Sequence, residues 1–586
     1  MLVTDKFTYV PILQTILSIF KNPKTSSMLK SGRSSPDGFY VDLEDGLYIK
    51  AHPLFSSESH ALKIQLFYDD FEPCNPLGSK KGSHKIGAIY FTLRNFQPKF
   101  NSCLDNIYLC ILFHTQDIKT YGFNAILEPL VSHLKVLETE GIEVQCFNDR
   151  LRGSIFQVTG DNLGLHCLFG YVESFSAHYC CRFCLTEKEK FQTVFFEDDP
   201  SVTLRSKDIH LQHCEAIQAN PTLTHVYGVK RYCLLDELKF FSVSENFSVD
   251  IMHDILEGIA QYEMKLVLEY LKSNFISHRE LQARIVSFNY GYTESKNKPP
   301  GVRLEEGNDL GLNAIQTWCF VRNMPLIFGD VLQRGDKCWQ LLLLLVQIVN
   351  IAFSPILTEG LTICLKHVIA EHHRLFKPLF PSKRLLPKHN FLIHYPRCIR
   401  LLGPVLHMWS MRYESKNYYF KRQLKSFKNV TKTQAIKHQS DSAYTFGLAS
   451  TTIKKGPGKM VALCDVNEGD NIALYLNVSV EIWAKVHGTE YRPKLIICSS
   501  VDIDLPKFCQ IRDIIIQDEK VLLICVVLHT DCFDEHFHSF KVSFEEVEEW
   551  KIVSVNELVY RKPFDLLMKY GTQDEFKYIV PNCVFI

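Results

Sequence analysis

Apolar and polar positions between residues 61 and 161 predict the order strand, strand, strand, helix, strand. Four short runs rich in β-branched and aromatic residues, bounded by turn residues, are typical of strands. These runs are 61–71 (ALKIQLFYDDF), 86–93 (IGAIYFTL), 106–115 (NIYLCILFHT) and 154–161 (SIFQVTGD). Residues 123–141 repeat apolar side chains every three or four positions and end at Gly141, which predicts a helix. The pattern therefore predicts an α/β domain.

The periodicity changes further along the chain and predicts several domains. A Cys- and His-rich stretch is followed by long helical patterns, by one more helix at 411–427, and finally by strand-like runs. The predicted organisation is an N-terminal helix with short strands (1–60), the first part of the α/β core (61–177), a Cys/His-rich insertion (178–249), a helical insertion (250–400), the closing helix of the core (401–440), a basic linker (441–459) and a small all-β domain (460–586).

Composition narrows the class of protein. A chain of 586 residues with 46% apolar residues is long enough for several hydrophobic cores. Twenty cysteines lie scattered without a repeating framework, which favours free or metal-bound thiols over disulfides. The longest apolar run, 341–353, is too short to cross a membrane, so we predict a buried helix and expect no membrane partner.

Charge is balanced overall but uneven along the chain. The net charge of zero argues against a uniformly basic nucleic-acid binder. Residues 383–437, however, contain thirteen Lys or Arg and a single acid, Glu414. This excess predicts contact with a polyanion, although a solvated basic face is the commoner explanation. The candidate DNA-backbone contacts are Lys416, Lys421, Arg422, Lys425 and Lys428.

Acidic residues stand where the predicted strands end. Asp69 and Asp70 close the first strand, and Asp161 closes the fourth. Taken alone, Asp161 is more simply explained as a helix N-cap. The order of elements, however, matches the first half of an RNase H-like fold, in which acids from the first strand, the fourth strand and a later helix hold two divalent ions. Glu414 would supply the third acid, and the hard carboxylate ligands suit Mg²⁺ or Mn²⁺.

Four segments of the chain resemble transposases of the CACTA (En/Spm-like) group, in the form abundant in animal genomes. The segments are YDDFEPCNPLGSKKGSHKIGAIYFTLRN, VTGDNLGLHCLFGYVESFSAHYCCRFC, SVDIMHDILEGIAQYEMKLVL and LPKHNFLIHYPRCIRLLGPVLHMWSMRYESKNYYFKR. The segments lie between residues 68 and 422 in the order of the family, within a resemblance that extends from about residue 40 to 440.

The resemblance implies a DDE-type, cut-and-paste transposase with an interrupted RNase H-like core. Its catalytic, metal-binding acids would be Asp69, Asp161 and Glu414, with Asp70 the less suitable acid of its pair. The activity implied is Mg²⁺-dependent cleavage at element ends, followed by attack of a 3′-hydroxyl on target DNA. The implied partner is double-stranded DNA, with a nuclear location and a homo-oligomer on DNA.

Two further motifs have a structural as well as a functional interpretation. The family's Asp-x-x-His motif corresponds to Asp250 and His253, which could equally form the start of a helix. Cys181 and Cys184 have the spacing of half a zinc knuckle, although a pair of buried thiols is the alternative. The partners considered for a structural Zn²⁺ are His210 and His213 first, then His178, Cys180 and Cys214. His389, His394 and His407 are interpreted as core groups.

Two classes of function remain open from the sequence. An active DNA transposase is favoured because all three acids are present in order. The alternative is a transposase-derived, catalytically inactive DNA- or chromatin-binding protein. Nothing before residue 40 resembles a zinc finger or helix-turn-helix.

Overall fold

The chain is a mixed α/β protein with several sheets. The computed structural model describes residues 5–586 except 23–24, 26–28, 30–34, 74–83, 101–102, 146, 148, 306, 424–428, 446–452, 462–477, 503–504, 518–519 and 573–575. The α-helices are α1 (Ile12–Phe20), α2 (Leu47–Ala51), α3 (Pro53–Ser57), α4 (Thr115–Thr139), α5 (Asn162–Phe169), α6 (Lys207–Ala219), α7 (Ala260–Asn274), α8 (His278–Ser287), α9 (Ala314–Phe328), α10 (Lys337–Ala352), α11 (Glu359–Leu379), α12 (Pro387–Leu392), α13 (Tyr395–Leu402), α14 (Met411–Gln423) and α15 (Val430–Thr445).

The strands lie mainly in two regions of the chain, 62–160 and 454–579. They are β1 (Thr8–Tyr9), β2 (Phe39–Tyr40), β3 (Leu62–Phe71), β4 (Ile86–Leu93), β5 (Tyr108–His114), β6 (Gly153–Gly160), β7 (Leu357–Thr358), β8 (Lys454–Lys455), β9 (Gly458–Val461), β10 (Val478–Glu481), β11 (Ala484–Val486), β12 (Thr489–Tyr491), β13 (Ile496–Asp502), β14 (Leu505–Gln517), β15 (Lys520–Val527), β16 (His529–Asp534), β17 (Ser539–Ser543), β18 (Trp550–Ser554) and β19 (Lys577–Ile579). A π-helical segment, Met252–Ile259, runs directly into α7.

The chain divides into two compact units. Unit 1 comprises residues 1–255 and 356–449, and unit 2 comprises residues 256–355 and 450–586. The predicted helical insertion is therefore split, because α7 to α10 belong to unit 2 and α11 to α13 belong to unit 1. Among the described residues, no helix is both long and apolar enough to cross a membrane.

Unit 1 is organised around a five-stranded sheet in the order β1-β5-β4-β3-β6. β3 pairs antiparallel with β4 and parallel with β6, and β4 pairs antiparallel with β5. The parallel pair arises because α4 connects β5 to β6 and carries the chain back across the sheet. As a result, β3 and β6 end at the same edge of the sheet.

Helices cover both faces of this sheet. On one face, Phe123 of α4 makes edge contacts with the rings of Tyr68 and Phe113. On the other face, Tyr413 and Phe420 of α14 share a buried cluster with Phe67 of β3. Successive side chains of a strand point to opposite faces. Asp69, two residues after Phe67, therefore faces α14.

The predicted elements of the core are present, with shifted ends. The helix predicted at 123–141 is the second part of α4, which contains a break at Gly122 (φ 76°, ψ 161°). This positive φ is accessible to glycine at little cost, so Gly122 allows the chain to turn into the helix. α14 begins at the predicted residue, and residues 424–427 of that prediction lie outside the described residues.

Unit 2 combines helices with an antiparallel β region. Its largest sheet has the order β18-β15-β14-β10-β9, with β13 paired to β14. The all-β C-terminal region is present as predicted, but it is not a separate domain. The buried Glu294 carboxylate bridges Arg322 of α9 and Lys562 of the C-terminal region, at 2.6 Å and 3.0 Å. The indole of Trp339 likewise donates to the carbonyl of His536 (3.1 Å).

Candidate functional site

Asp69 and Asp161 lie side by side at the edge where β3 and β6 end. In the parallel register, Tyr68 of β3 pairs with Gly160 of β6. Asp69 directly follows Tyr68 and Asp161 directly follows Gly160, so the two acids are neighbours across the strands. A Cβ at position 160 would lie 2.6 Å from the carbonyl oxygen of Tyr68. Glycine is therefore required for the strands to approach each other this closely just before Asp161.

Asp161 also caps α5, so the two interpretations of this residue are compatible. Its Oδ1 accepts a hydrogen bond from the backbone N–H of Gly164 (2.5 Å). A Cβ at position 164 would lie 2.7 Å from that oxygen, which explains the second glycine of the GDNLG segment. The cap engages Oδ1, so the role as a cap does not use up both carboxylate oxygens.

Helix α14 brings Glu414 to the same edge. The ring of Tyr413 stacks on Phe67, with centroids 4.5 Å apart and planes within 5°. Asn417, one turn after Glu414, donates from its Nδ2 to Asp69 Oδ2 (2.8 Å) and accepts from the Tyr90 hydroxyl (2.7 Å). The aromatic contact and the amide therefore fix the helix relative to the strand that carries Asp69.

The electrostatics show that the three carboxylates are coupled. The pKa of Asp69 is raised to about 7, first by burial and then by the negative charges of Asp161 and Glu414. Such a shift means that Asp69, buried beside two other carboxylates, resists ionisation without a compensating cation. The arrangement can therefore bind a proton or a metal cation at neutral pH.

Asp250, His253 and Glu414 form a hydrogen-bonded chain. His253 Nδ1 lies 2.6 Å from Asp250 Oδ2, and its Nε2 lies 3.2 Å from Glu414 Oε1. Burial alone would lower the pKa of His253, but the two carboxylates outweigh it and raise the pKa to about 12. Ser410 Oγ donates to Asp250 Oδ2 (2.6 Å). A protonated imidazole thus links the Asp-x-x-His motif directly to the third acid.

Asp70 differs from its neighbour Asp69. The Lys85 ammonium lies 2.7 Å from Asp70 Oδ1, in a partly exposed ion pair. This pairing gives Asp70 a partner of its own at the surface, and it contributes little to stability in such an exposed position. Asp70 therefore serves as a natural control for the coupled acids.

The basic residues chosen from the sequence fall into three groups. Lys416 is buried, and its Nζ donates to the carbonyl of Leu104 (2.9 Å), which removes it from the candidate DNA contacts. Burial lowers the pKa of Lys416 to about 8. Lys421 and Arg422 are exposed at the end of α14. Lys425 and Lys428 lie outside the described residues.

The predicted zinc pair has a different histidine from the ones expected. Among the described residues, one group of His, Cys or acidic side chains has all its ligand atoms within 4.8 Å of one another, and it comprises Cys181, Cys184 and His394. His210 and His213 are not part of it. His210 instead lies 3.5 Å from Cys214 and 3.6 Å from Asp236. The interpretation of His394 as an ordinary core group is therefore revised.

Several residues of these sites were not found from the sequence. Asn417 could have been predicted from the sequence, since it lies three residues after Glu414 and so shares its helix face. Ser410, and Glu197, whose Oε1 lies 2.5 Å from His394 Nδ1, have no comparable pattern in the sequence. His394 is 210 residues from Cys184 in the chain, and only the tertiary fold brings the two together.

The comparisons with known proteins leave the family of this chain open. No family model matches the sequence, and no curated protein matches it significantly.

Proposed function

We propose that this protein is a DDE-type DNA transposase that cleaves and joins DNA with the help of divalent metal ions. The observation that carries the proposal is the convergence of Asp69, Asp161 and Glu414 from two adjacent parallel strands and a helix packed on the sheet. Under this proposal, the sheet order with β3 between β4 and β6 is that of an RNase H-like core. The resemblance of four segments to CACTA transposases suggests the reaction class.

The donor set suits Mg²⁺ or Mn²⁺. Carboxylate oxygens are the ligands that these hard cations prefer, and burial together with the charges of Asp161 and Glu414 raises the pKa of Asp69, so a bound cation would favour its ionised form. When bound, such ions stabilise the attacking and leaving oxygens of phosphodiester cleavage.

The residues around the acids would position them for this role. The His253 imidazolium holds one oxygen of Glu414, and the amide of Asn417 holds one oxygen of Asp69. These contacts restrict the rotamers of both carboxylates before any ion binds, which reduces the ordering required on binding. His253 is thus a positioning residue for Glu414.

DNA is the substrate under this proposal. Lys421 and Arg422 lie seven and eight residues after Glu414 on α14, so they continue from the acid along the same side of the helix. A DNA backbone whose phosphates contact these two cations would continue along the helix towards the carboxylates. The proposed substrates are element ends and target DNA, with a nuclear location and a homo-oligomeric complex on DNA.

The test is cleavage and strand transfer on a duplex that carries the ends of the encoding element, with Mg²⁺ or Mn²⁺. Asp69→Asn, Asp161→Asn and Glu414→Gln are each expected to reduce the rate by at least about 100-fold, because each removes charge that holds the ions. Asp70→Asn is the matched control and should keep most of the activity. His253→Asn should lower the rate by about 10- to 100-fold and raise the Mg²⁺ concentration needed for half-maximal activity.

The outcomes separate the two classes of function. Activity in the wild type and in Asp70→Asn, with loss in the three acid variants, would support the transposase. Equal activity in all variants would contradict the assigned site. Tight DNA binding without activity in the wild type would instead favour the non-catalytic, transposase-derived binding protein.

A further inference from the structure

A buried group of two thiols and one imidazole lies apart from the carboxylates in unit 1. Cys181, Cys184 and His394 are almost fully buried, with exposed fractions of 1% or less. Their ligand atoms all lie within 4.8 Å of one another, and both cysteines are free rather than joined in a disulfide. Two thiols and an imidazole thus face each other in a position from which bulk water is excluded.

The spacing within this group matches a tetrahedral metal. Cys181 Sγ lies 3.6 Å from His394 Nε2. With a Zn–S bond of about 2.3 Å and a Zn–N bond of about 2.05 Å, two ligands at the tetrahedral angle lie about 3.6 Å apart. The two side chains are therefore already separated by the distance that a shared zinc ion requires.

The surrounding groups hold the imidazole in the orientation of a metal ligand. His394 Nδ1 lies 2.5 Å from Glu197 Oε1, and the same oxygen accepts from Arg397 Nε (2.8 Å). A carboxylate that accepts from one ring nitrogen leaves the other nitrogen free to bind a metal, and this pairing is usual for metal-bound histidines. Here the free nitrogen, Nε2, is the one that faces the cysteines.

Hydrogen-bond donors also point at the two sulfurs. The backbone N–H of Phe183 lies 3.4 Å from Cys181 Sγ, and Asn390 Nδ2 lies 3.8 Å from Cys184 Sγ. Donors of this kind stabilise the thiolate form, in which cysteine binds metals. The donor to Cys181 arises from the tight turn between the two cysteines of the CRFC segment.

We propose that Cys181, Cys184 and His394 bind a structural Zn²⁺ ion. Soft thiolates with an imidazole favour zinc over the hard cations that suit the carboxylates. Two thiolates balance the charge of Zn²⁺, and the three side chains would fill three of its four tetrahedral positions. The ion cross-links the Cys/His-rich segment after α5 to the start of α13, which are distant in sequence. The proposal does not depend on catalysis or on DNA.

The test is the metal content of the untagged full-length protein, purified with zinc in the medium and without chelators. Elemental analysis is expected to find about one zinc per chain in the wild type. Cys181→Ser, Cys184→Ser and His394→Gln should each lower this to below about 0.2. Cys180→Ser is the matched control, since Cys180 is an equally buried neighbour outside the group, and it should keep its zinc.

Cobalt substitution keeps the proposal testable if a variant fails to fold. In the wild type, Co²⁺ should produce thiolate-to-cobalt charge-transfer bands and the intense visible bands of tetrahedral cobalt, and Zn²⁺ should abolish them. His394→Cys adds a third thiolate, so its charge-transfer band should be stronger at equal protein concentration.

Three results would contradict the zinc proposal. A folded wild-type protein with no zinc and no cobalt–thiolate bands would overturn the proposal. The same conclusion would follow if Cys181→Ser and Cys184→Ser kept a full equivalent of zinc, or if the purified protein contained iron or copper at this position instead.

Discussion

Asp69 shows how one side chain acquires its properties from its surroundings. In the sequence it is one of two adjacent aspartates at the end of a strand. In the folded chain, Asp69 faces α14 and two other carboxylates, whereas Asp70 pairs with Lys85 at the surface. Successive side chains of β3 point to opposite faces of the sheet, so the carboxylates of Asp69 and Asp70 lie on different faces. Burial and the two neighbouring carboxylates therefore raise the pKa of Asp69.

The raised pKa predicts a pH-dependent stability of the metal-free protein. In the unfolded chain an aspartate has a pKa of about 3.9, whereas the folded value for Asp69 is about 7. The folded state therefore binds this proton more tightly, and the free energy of unfolding decreases as the pH rises from about 4 to 7. Asp69→Asn should remove this decrease and raise the melting temperature at pH 8 by about 2–5 °C.

Thermal unfolding in EDTA at pH 5 and pH 8 measures this effect. Asp70→Asn is the control and should give no gain at pH 8, because it removes a paired carboxylate. Added Mg²⁺ should stabilise the wild type more than Asp69→Asn. If the melting temperatures at pH 5 and pH 8 differ by the same amount in Asp69→Asn and in the wild type, Asp69 does not have the raised pKa.

At the scale of elements, α14 carries both the side chains that pack on the sheet and the residues proposed to bind metal ions and DNA. Its buried side packs through Tyr413 and Phe420 against the sheet. Glu414 and Asn417 point to the strand edge, and Lys421 with Arg422 remains exposed beyond them. The helical repeat orders these side chains along the axis. A single helix thus connects the proposed catalytic edge to solvent.

Removing the two exposed cations of α14 should weaken DNA binding through fewer phosphate contacts. The double variant Lys421→Gln, Arg422→Gln is expected to reduce the slope of log K against log salt by about 1–2, since each phosphate contact contributes about 0.9. Fluorescence anisotropy with duplex DNA at several salt concentrations measures the slope. Lys135→Gln with Lys230→Gln removes two other exposed cations of unit 1 and should leave the slope unchanged. Equal slopes for the wild type and the α14 variant would exclude this helix from the DNA path.

At the scale of the whole molecule, two segments far apart in sequence build unit 2. Glu294 lies in the helical segment, and Lys562 lies near the C-terminus. Burial alone would raise the pKa of Glu294, but Lys562 and Arg322 outweigh it and lower the pKa to about 2. This ion network links the helices of 256–355 to the β region.

Removing the Glu294 charge should destabilise unit 2. Glutamate has a pKa of about 4.3 when unfolded, so the contribution of Glu294 is complete above that pH and is lost as the pH falls towards 2. Glu294→Gln should lower the free energy of unfolding by about 3 kcal/mol at pH 7. Urea unfolding monitored by tryptophan fluorescence measures the change.

The matched control is Glu280→Gln. Glu280 is about half exposed and pairs with Arg284 on α8, so its loss should change the stability by less than about 0.5 kcal/mol. The difference in the free energy of unfolding between the wild type and Glu294→Gln should be smaller at pH 3 than at pH 7. A similar loss in both variants would mean that Glu294 acts as an ordinary surface charge.

The sequence by itself determined the local elements of the core and the positions of its acids. The strand that contains Asp69 and the strand that ends just before Asp161 follow from runs of apolar residues, and the helix that carries Glu414 follows from its periodicity. These features depend on neighbouring residues along the chain, which is why patterns of polarity reveal them. The N-cap role of Asp161 was also visible, because capping acts within one turn.

Only the tertiary structure decided which distant groups meet. Folding placed His394 rather than His210 beside Cys181 and Cys184, and buried Lys416 under a backbone carbonyl. It also joined residues 256–355 to the C-terminal β region. Such pairings depend on how elements that are hundreds of residues apart in the chain pack together, and this packing produces no periodic pattern in a single sequence.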